Sequence, residues 1–473
     1  MNKTDELITF WSHLKPTEIA FADESHEITF AELDKYTRKI GYMLNEKGIK
    51  RGEIVGLILP GHPGWLFYLA LARLGVPTMM QNNLESFVPE LIPDWLISLE
   101  AHPGKDLERT IIVNEDYLKK VEVSKELQDF EGFAHPTDLA TFYSTSGTNG
   151  ETKFREISAE FAWTASLRMH TNNAFGEDDS FLLLPFGAAW TNRHISTCLI
   201  FGKTYYNCMF PDFRLLKFVS KYPIGTIMGS PVQISSFLEV QKQTNTNLPL
   251  LKTIIMSGSA PSDQLAVRIK SQLDCKIINA YGSTEVGFVA FSILGENQPA
   301  GAWVNPAVEL EIVDDNDNPL PAMSVGHIRY RREDLETSYY KNPEATAQFF
   351  KDGYFYPGDL GFIDELGRLN LEGRSTDVIN LGGVVINPDR IESIAHAQLG
   401  VIDCAAFGQM NSSGIEVLCI ALVVDADFSK EKFITSMVAQ SPERISHVQI
   451  VPAIPRTVTG KILRNLLVPV LEG

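Results

Sequence analysis

An α/β fold is predicted for this chain by three observations. Short apolar runs alternate with amphipathic helical stretches in the N-terminal part. Each run leads into a loop rich in Gly, Ser or Pro, and the texture changes near residue 310 and again near residue 374. Together they predict a large N-terminal domain, 1–374, of parallel α/β subdomains plus a small β-rich subdomain, followed by a smaller C-terminal α/β domain, 375–473.

The elements follow in order. Ile28 to Leu33 leads into a helix reaching about Lys47, because Leu33, Tyr36, Ile40, Met43 and Leu44 share one helical face. Gly48 and Gly52 break it, and the apolar run Ile54 to Leu59 reads as a buried strand. A second helix, Trp65 to Leu74, stops at Gly75. Strand, helix, strand at this spacing implies a parallel sheet. Phe181 to Pro185 and Thr253 to Met256 read as further buried strands, and ligands of open α/β sheets collect beyond such strand ends. Residues 80 to 140 are charged and weakly periodic, and predict no clear element. Beyond 310 come short strands and turns: Val308 to Val313, the turn Asp314 to Pro319, then Gly326 to Tyr330.

The chain has 473 residues, more than one core usually serves, with 44% apolar and 21% charged residues. A net charge of −18 argues against a general nucleic-acid or membrane-surface binder. No window approaches about eighteen consecutive apolar residues, so no membrane span is expected. The start lacks the apolar stretch of a signal peptide. Five cysteines with no C-x-x-C suit a reducing cytoplasm and read as buried thiols.

Several segments are suited to hold an anion or a flat ring. Thr145, Ser146, Gly147, Thr148 and Lys153 lie in a hydroxyl- and glycine-rich run whose backbone N–H groups can face one anion. A solvated linker has the same composition. Gly258, Ser259, Ala260 and Pro261 follow a strand and can wall one face of a ring, with Tyr281 on the other. In the following Gly282 to Glu285, Thr284 can donate to a phosphate and Glu285 is a hard ligand for Mg2+. The same segment also reads as strand, turn and helix, with the carboxylate at the helix N-terminus. Asp359 can accept from vicinal ribose hydroxyls, reinforced by Arg374, or be a β-turn aspartate beside a surface arginine. Lys461 lies behind a Thr-Gly turn near the chain's end.

In order and content these segments closely resemble the adenylate-forming superfamily: acyl-CoA synthetases, peptide-synthetase adenylation domains and beetle luciferases. The family's phosphate loop appears at Thr145 to Lys153, with Asn149 for a threonine and Thr152 for the proline. Tyr-Gly-Ser-Thr-Glu is intact at Tyr281 to Glu285, as are Gly358-Asp359, Gly373-Arg374 with Asp377, and Pro455 to Lys461. The similarity runs from about Ile28 to Arg464.

The resemblance implies two half-reactions. A carboxylate attacks the α-phosphate of Mg·ATP, giving an acyl-adenylate and pyrophosphate; a thiol of CoA or of a carrier protein's phosphopantetheine arm then displaces AMP. Thr145, Ser146, Gly147, Thr148 and Lys153 would hold the triphosphate, and Gly258 to Pro261 with Tyr281 and Gly282 the adenine. Thr284 would contact the α-phosphate, Glu285 bind Mg2+, Asp359 and Arg374 bind ribose, and Lys461 bridge carboxylate and α-phosphate. The C-terminal domain would be mobile, pivoting at Thr376, where relatives usually carry Asp or Lys. Its swing would bring Gly382 and Gly383 to the thiol.

Gly187 stands where amino-acid-activating members place an Asp and many acyl-CoA synthetases a His. An α-ammonium there would be buried unpaired, at a cost of several kcal/mol. The expected substrate is therefore a fatty, branched or aryl acid, in an apolar pocket with Trp190, Met228 and Phe237. CoA is the expected acceptor and a carrier protein the alternative. A catalytically silent adenylate-binding homologue is the alternative of another class.

Overall fold

The computed structural model describes residues 3–81, 92–101, 109–146, 152–171, 179–183, 189–208, 213–295, 301–333, 335, 338–375, 377, 379–381, 384–411, 415–440, 445–456 and 462–467. The expected α/β architecture is present. Strands Ile19–Ala22, Tyr205–Tyr206, Asp179–Leu182, Ile224–Gly229, Thr253–Ser257 and Lys276–Ser283 lie side by side in parallel. At Lys276–Ser283 the chain turns straight back into Gly287–Leu294, and from there the sheet continues antiparallel. That continuation contains Ala302–Val304, Arg368–Arg374, Asp359–Ile363 and Gly326–Arg331, and Glu309–Val313 pairs with the last of these, so the two strands expected at Val308 to Val313 and Gly326 to Tyr330 are present.

A second sheet orders Thr110–Ile112, Trp95–Ser98, Val55–Ile58, Thr78–Met80, Leu139–Ser146 and Thr152–Ser158, parallel except for the last pair. A third, of Val401–Met410, Glu416–Val424 and Ile445–Ile450, lies in the C-terminal segment. Apolar residues on its two faces form separate clusters, one around Ile391, Leu418 and Phe433, the other around Phe407, Cys419 and Ile454.

The helix Phe30–Glu46 matches its expected span, and Thr29 and Glu32 close a reciprocal capping box at its start. The next helix, Gly61–Leu74, begins four residues before the expected Trp65. Gly61 to Gly64 looks like a turn in sequence, yet Pro63 lies in the first helical turn, where a missing N–H costs nothing. The stretch 80–140 holds Trp95–Ser98, Thr110–Ile112 and the helix Glu115–Val123. Two of these are strands of three or four residues, too short for periodicity to register. Four cysteines are buried as expected, whereas Cys208 is half-buried. Burial pushes the Cys275 and Cys419 thiols up to about 11. Among the described residues no helix is long and apolar enough to cross a membrane.

Candidate active site

The hairpin Lys276–Ser283/Gly287–Leu294 carries the densest set of candidate residues. Its tight return needs glycine: a Cβ on Gly282 would lie 2.1 Å from the Gly287 carbonyl oxygen. Strand follows strand here, so the alternative with Glu285 capping a helix is excluded.

Two residues before the end of the first strand, the Tyr281 hydroxyl donates to Asp359 Oδ2 at 2.5 Å. Asp359 is buried and opens the strand Asp359–Ile363, so the β-turn alternative does not hold. Directly across the antiparallel ladder stands Arg374, whose Nε is 3.4 Å from Asp359 Oδ1. Burial and the Asp359 charge push the Tyr281 phenol well above its ordinary value, so it stays a neutral donor. Its ring meets Tyr330 edge-on at 6.4 Å.

In the turn that follows, Glu285 is buried and its Oε1 accepts from the Tyr339 hydroxyl at 2.6 Å. Burial, with the Glu285 charge behind it, pushes the Tyr339 phenol up. The Lys153 ammonium lies over the Phe349 ring at 3.7 Å and the Tyr339 ring at 5.4 Å. Lys153 faces Thr145 in the antiparallel pair Leu139–Ser146/Thr152–Ser158. Tyr339 therefore joins the lysine of one segment to the carboxylate of another, 132 positions apart in sequence. Mg2+ takes oxygen ligands and keeps several waters. The Glu285 carboxylate, with one oxygen anchored and further lone pairs available, fits such an ion.

Two buried arginines brace this segment from behind. Arg193 Nη2 donates to the Thr284 carbonyl at 2.9 Å, and Arg155 Nη1 to the Glu285 carbonyl at 2.5 Å. Both side chains are nearly or wholly enclosed. Their grip fixes the backbone from which the Thr284 and Glu285 side chains project. Neither arginine, nor Tyr339, has a sequence signal of its own, since a lone Arg or Tyr reads as surface or core.

Gly258 to Pro261 follow Thr253–Ser257, which pairs with Lys276–Ser283 so that Ser257 stands opposite Ala280. Ser257 Oγ also donates to the Ala280 carbonyl at 2.7 Å, which ties the loop's root to the residue before Tyr281. Gly258 has φ +95°, a left-handed backbone that favours glycine.

Beneath the hairpin, Met228, Ile255, Ile278 and Ala280 form an apolar cluster with Trp190, Phe288 and Phe291. Met228 and Trp190 thus come together as expected, but Phe237 does not join them. Side chains alternate across the sheet, so Ile227, Ile254 and Ile277 face the opposite side, and Phe237 packs there. Gly147, Thr148, Gly187, Thr376, Gly382, Gly383 and Lys461 lie outside the described residues, as does the Ser146 side chain. Arg456 and Ile462, which flank the lysine's segment, pair antiparallel. Arg456 also holds Asp403 at 2.8 Å.

The chain is similar to known proteins. The 2-succinylbenzoate–CoA ligase of Listeria innocua is 26% identical, over 96% of this chain and 97% of its own. Enterobactin synthase component E of Escherichia coli is 24% identical, over 96% and 92%. The solved structure of O-succinylbenzoate coenzyme A synthetase from Bacillus subtilis, in complex with ATP and magnesium ion, superimposes with a TM-score of 0.82. It is 20% identical and covers 98% of each chain. The profile of the family described as AMP-binding enzyme matches residues 10–340, more than half the sequence, and the chain belongs to that family.

Proposed function

We propose that this protein is an AMP-forming acid–thiol ligase. It joins a carboxylic acid without an α-amino group to AMP at the expense of ATP, releasing pyrophosphate, and then passes the acyl group to a thiol, most simply that of CoA. The observation that carries this reading is the single hairpin that sets Tyr281, beside Asp359 and Arg374, four residues before Glu285, which Tyr339 links to Lys153. Ribose-type partners near the end of the strand and phosphate-type partners at its turn suit one nucleotide lying along this segment. Relatives named as CoA ligases, and a fold neighbour holding ATP and magnesium, support the same assignment.

In this reading Asp359 accepts from the ribose hydroxyls, Arg374 reinforces it, and Tyr281 with the Gly258 to Pro261 loop encloses adenine. Thr145, Ser146, Gly147, Thr148 and Lys153 hold the outer phosphates, and Thr284 meets the α-phosphate. Glu285 holds Mg2+, which neutralises phosphate charge when bound. Lys461 brings a cation to the point where the two anions meet, offsetting charge that grows in the transition state. Residues 1–374 and 375–473 act as two domains, the second pivoting at Thr376 and presenting Gly382 and Gly383 to the thiol.

Trp190, Phe288 and Phe291, half-buried over the enclosed Met228, offer an incoming acid apolar contacts, which favours a fatty, branched or aryl acid. A carrier-protein arm in place of CoA is the second reading, supported by the similarity to enterobactin synthase component E.

The test is acid-dependent ATP–pyrophosphate exchange with a panel of aryl, branched and fatty acids, with amino acids as controls. Exchange with at least one member of the first group is expected. Productive assays are then repeated with CoA and with a phosphopantetheinylated carrier. Failure of the protein to bind Mg·ATP at all would overturn the reading.

A further inference from the structure

We propose that Asp23, His26 and His62 form a binding site for a divalent transition-metal ion, of which Zn2+ is the natural candidate, away from the nucleotide residues. Asp23 lies in the turn between Ile19–Ala22 and Glu27–Thr29, and His26 is in the same turn. His62 is the second residue of the helix Gly61–Leu74, which belongs to the layer of the second sheet. The site therefore joins a hairpin of the large sheet to a helix of the other.

The turn accounts for part of the arrangement. Asp23 Oδ1 accepts from the backbone N–H groups of Ser25 at 2.8 Å and His26 at 2.7 Å, which fixes the carboxylate. It does not account for two imidazoles converging on that carboxylate from separate elements. His26 Nδ1 is 3.1 Å from Asp23 Oδ1, and His62 Nδ1 is 3.5 Å from Asp23 Oδ2. The rings lie 3.9 Å apart between centroids, and one ligand atom from each of the three residues falls within 4.8 Å of the others.

The chemistry of the donors selects the ion. A tetrahedral ion with bonds of about 2.0–2.2 Å holds its ligand atoms roughly 3.4 Å apart, and each imidazole nitrogen lies about that far from one of the two Asp23 oxygens, His26 from Oδ1 and His62 from Oδ2. Two imidazoles and one carboxylate suit Zn2+ or Co2+, whereas Mg2+ prefers oxygen alone. Three protein ligands leave a fourth position for water. The Asp23 side chain is 10% exposed and that of His26 51%, so the donor set is anchored inside and open at its rim. A bound ion would staple the two layers and raise stability by mass action.

The experiment uses the full chain without a polyhistidine tag, stripped with a chelator and titrated with Co2+ in excess Mg2+. Wild type is expected to develop saturable visible absorption bands at one equivalent, reversed by Zn2+. His62→Ala and His26→Ala should each weaken the titration at least about tenfold. Zn2+ should raise the melting temperature of wild type and leave that of His62→Ala unchanged. Both variants should keep wild-type pyrophosphate exchange, which shows that they fold. If His62→Ala does not fold, His26→Ala, at the exposed rim, decides alone. Absence of the bands in wild type, or an unaltered titration in the folded histidine variants, would overturn the site.

Discussion

The Tyr281 hydroxyl and the Asp359 carboxylate meet at 2.5 Å across 78 positions of sequence, and this contact ties the hairpin to the antiparallel half of the large sheet. Tyr281→Phe keeps the aromatic ring but removes the donor, leaving a buried carboxylate oxygen short of a partner. Such a loss costs about 1–3 kcal/mol. A drop of several degrees in melting temperature is expected, with ATP affinity falling less than in Asp359→Ala. Thermal melts and nucleotide titrations of the two variants check this; an unchanged melting temperature in Tyr281→Phe would contradict it.

Glu285→Gln keeps the acceptor for Tyr339 but removes the charge proposed to hold Mg2+. Adenylation should fall about a hundred- to a thousandfold, with the Mg2+ requirement shifted to higher concentration. Tyr339→Phe leaves the charge and releases its anchor, so it should cost much less, about tenfold, with the same shift. Pyrophosphate exchange measured over a Mg2+ series separates the two. Equal losses would assign Tyr339 a role beyond positioning.

Arg193 and Arg155 make a different prediction, because each guanidinium holds a backbone carbonyl, of Thr284 and of Glu285, from behind. Arg193→Met should lower the adenylation rate about tenfold or more while leaving the Michaelis constant of ATP nearly unchanged. Circular dichroism should remain that of wild type. Should the rate stay unaltered, the hairpin is held well enough without that guanidinium.

These arginines also mark where sequence reading ends. The strands at Val55–Ile58 and Thr253–Ser257 announce themselves because continuous apolar runs have few other uses. Asp359 and Glu285 stand out because each sits in a distinctive glycine-bearing segment. Arg155 and Arg193 are enclosed only because tertiary packing brings a carbonyl to each, and nothing local encodes that. The same holds for Phe288 and Phe291, which complete the apolar cluster from the returning strand of the hairpin. Phe237 departs from its expected place for a related reason: its residue type suits a pocket, but the pleat of the sheet decides which face it meets.

Lys461→Ala should abolish most adenylation and leave ATP binding largely intact, since its cation is proposed to act where the acid attacks. Thr376→Pro should slow thioester formation more than adenylation if the C-terminal segment must turn between steps. Pre-steady-state measurement of pyrophosphate and thioester in each variant checks both. Equal slowing of the two steps in Thr376→Pro would argue against the pivot.

A pH dependence follows from the C-terminal segment. Arg464 contacts three carboxylates: Glu392 at 2.7 Å, Asp377 at 3.0 Å and Asp389 at 3.2 Å. With all three ionised the group would carry a net negative charge in a poorly solvated place. Burial first, and then the Asp389 charge, push Glu392 up from 4.5 to about 7, against the pull of Arg464 and the Ala406 amide. The folded state therefore holds this proton more tightly than the unfolded chain does. The stability so gained is complete below about 4.5 and is lost as pH rises through about 7, an effect of at most about 3 kcal/mol. Glu392→Gln mimics the protonated form and can still accept from Arg464 and Ala406. Between about pH 5 and about pH 8, the melting temperature of wild type should fall relative to that of Glu392→Gln. A constant difference between the two curves would show that Glu392 is ionised throughout, with Arg464 outweighing burial.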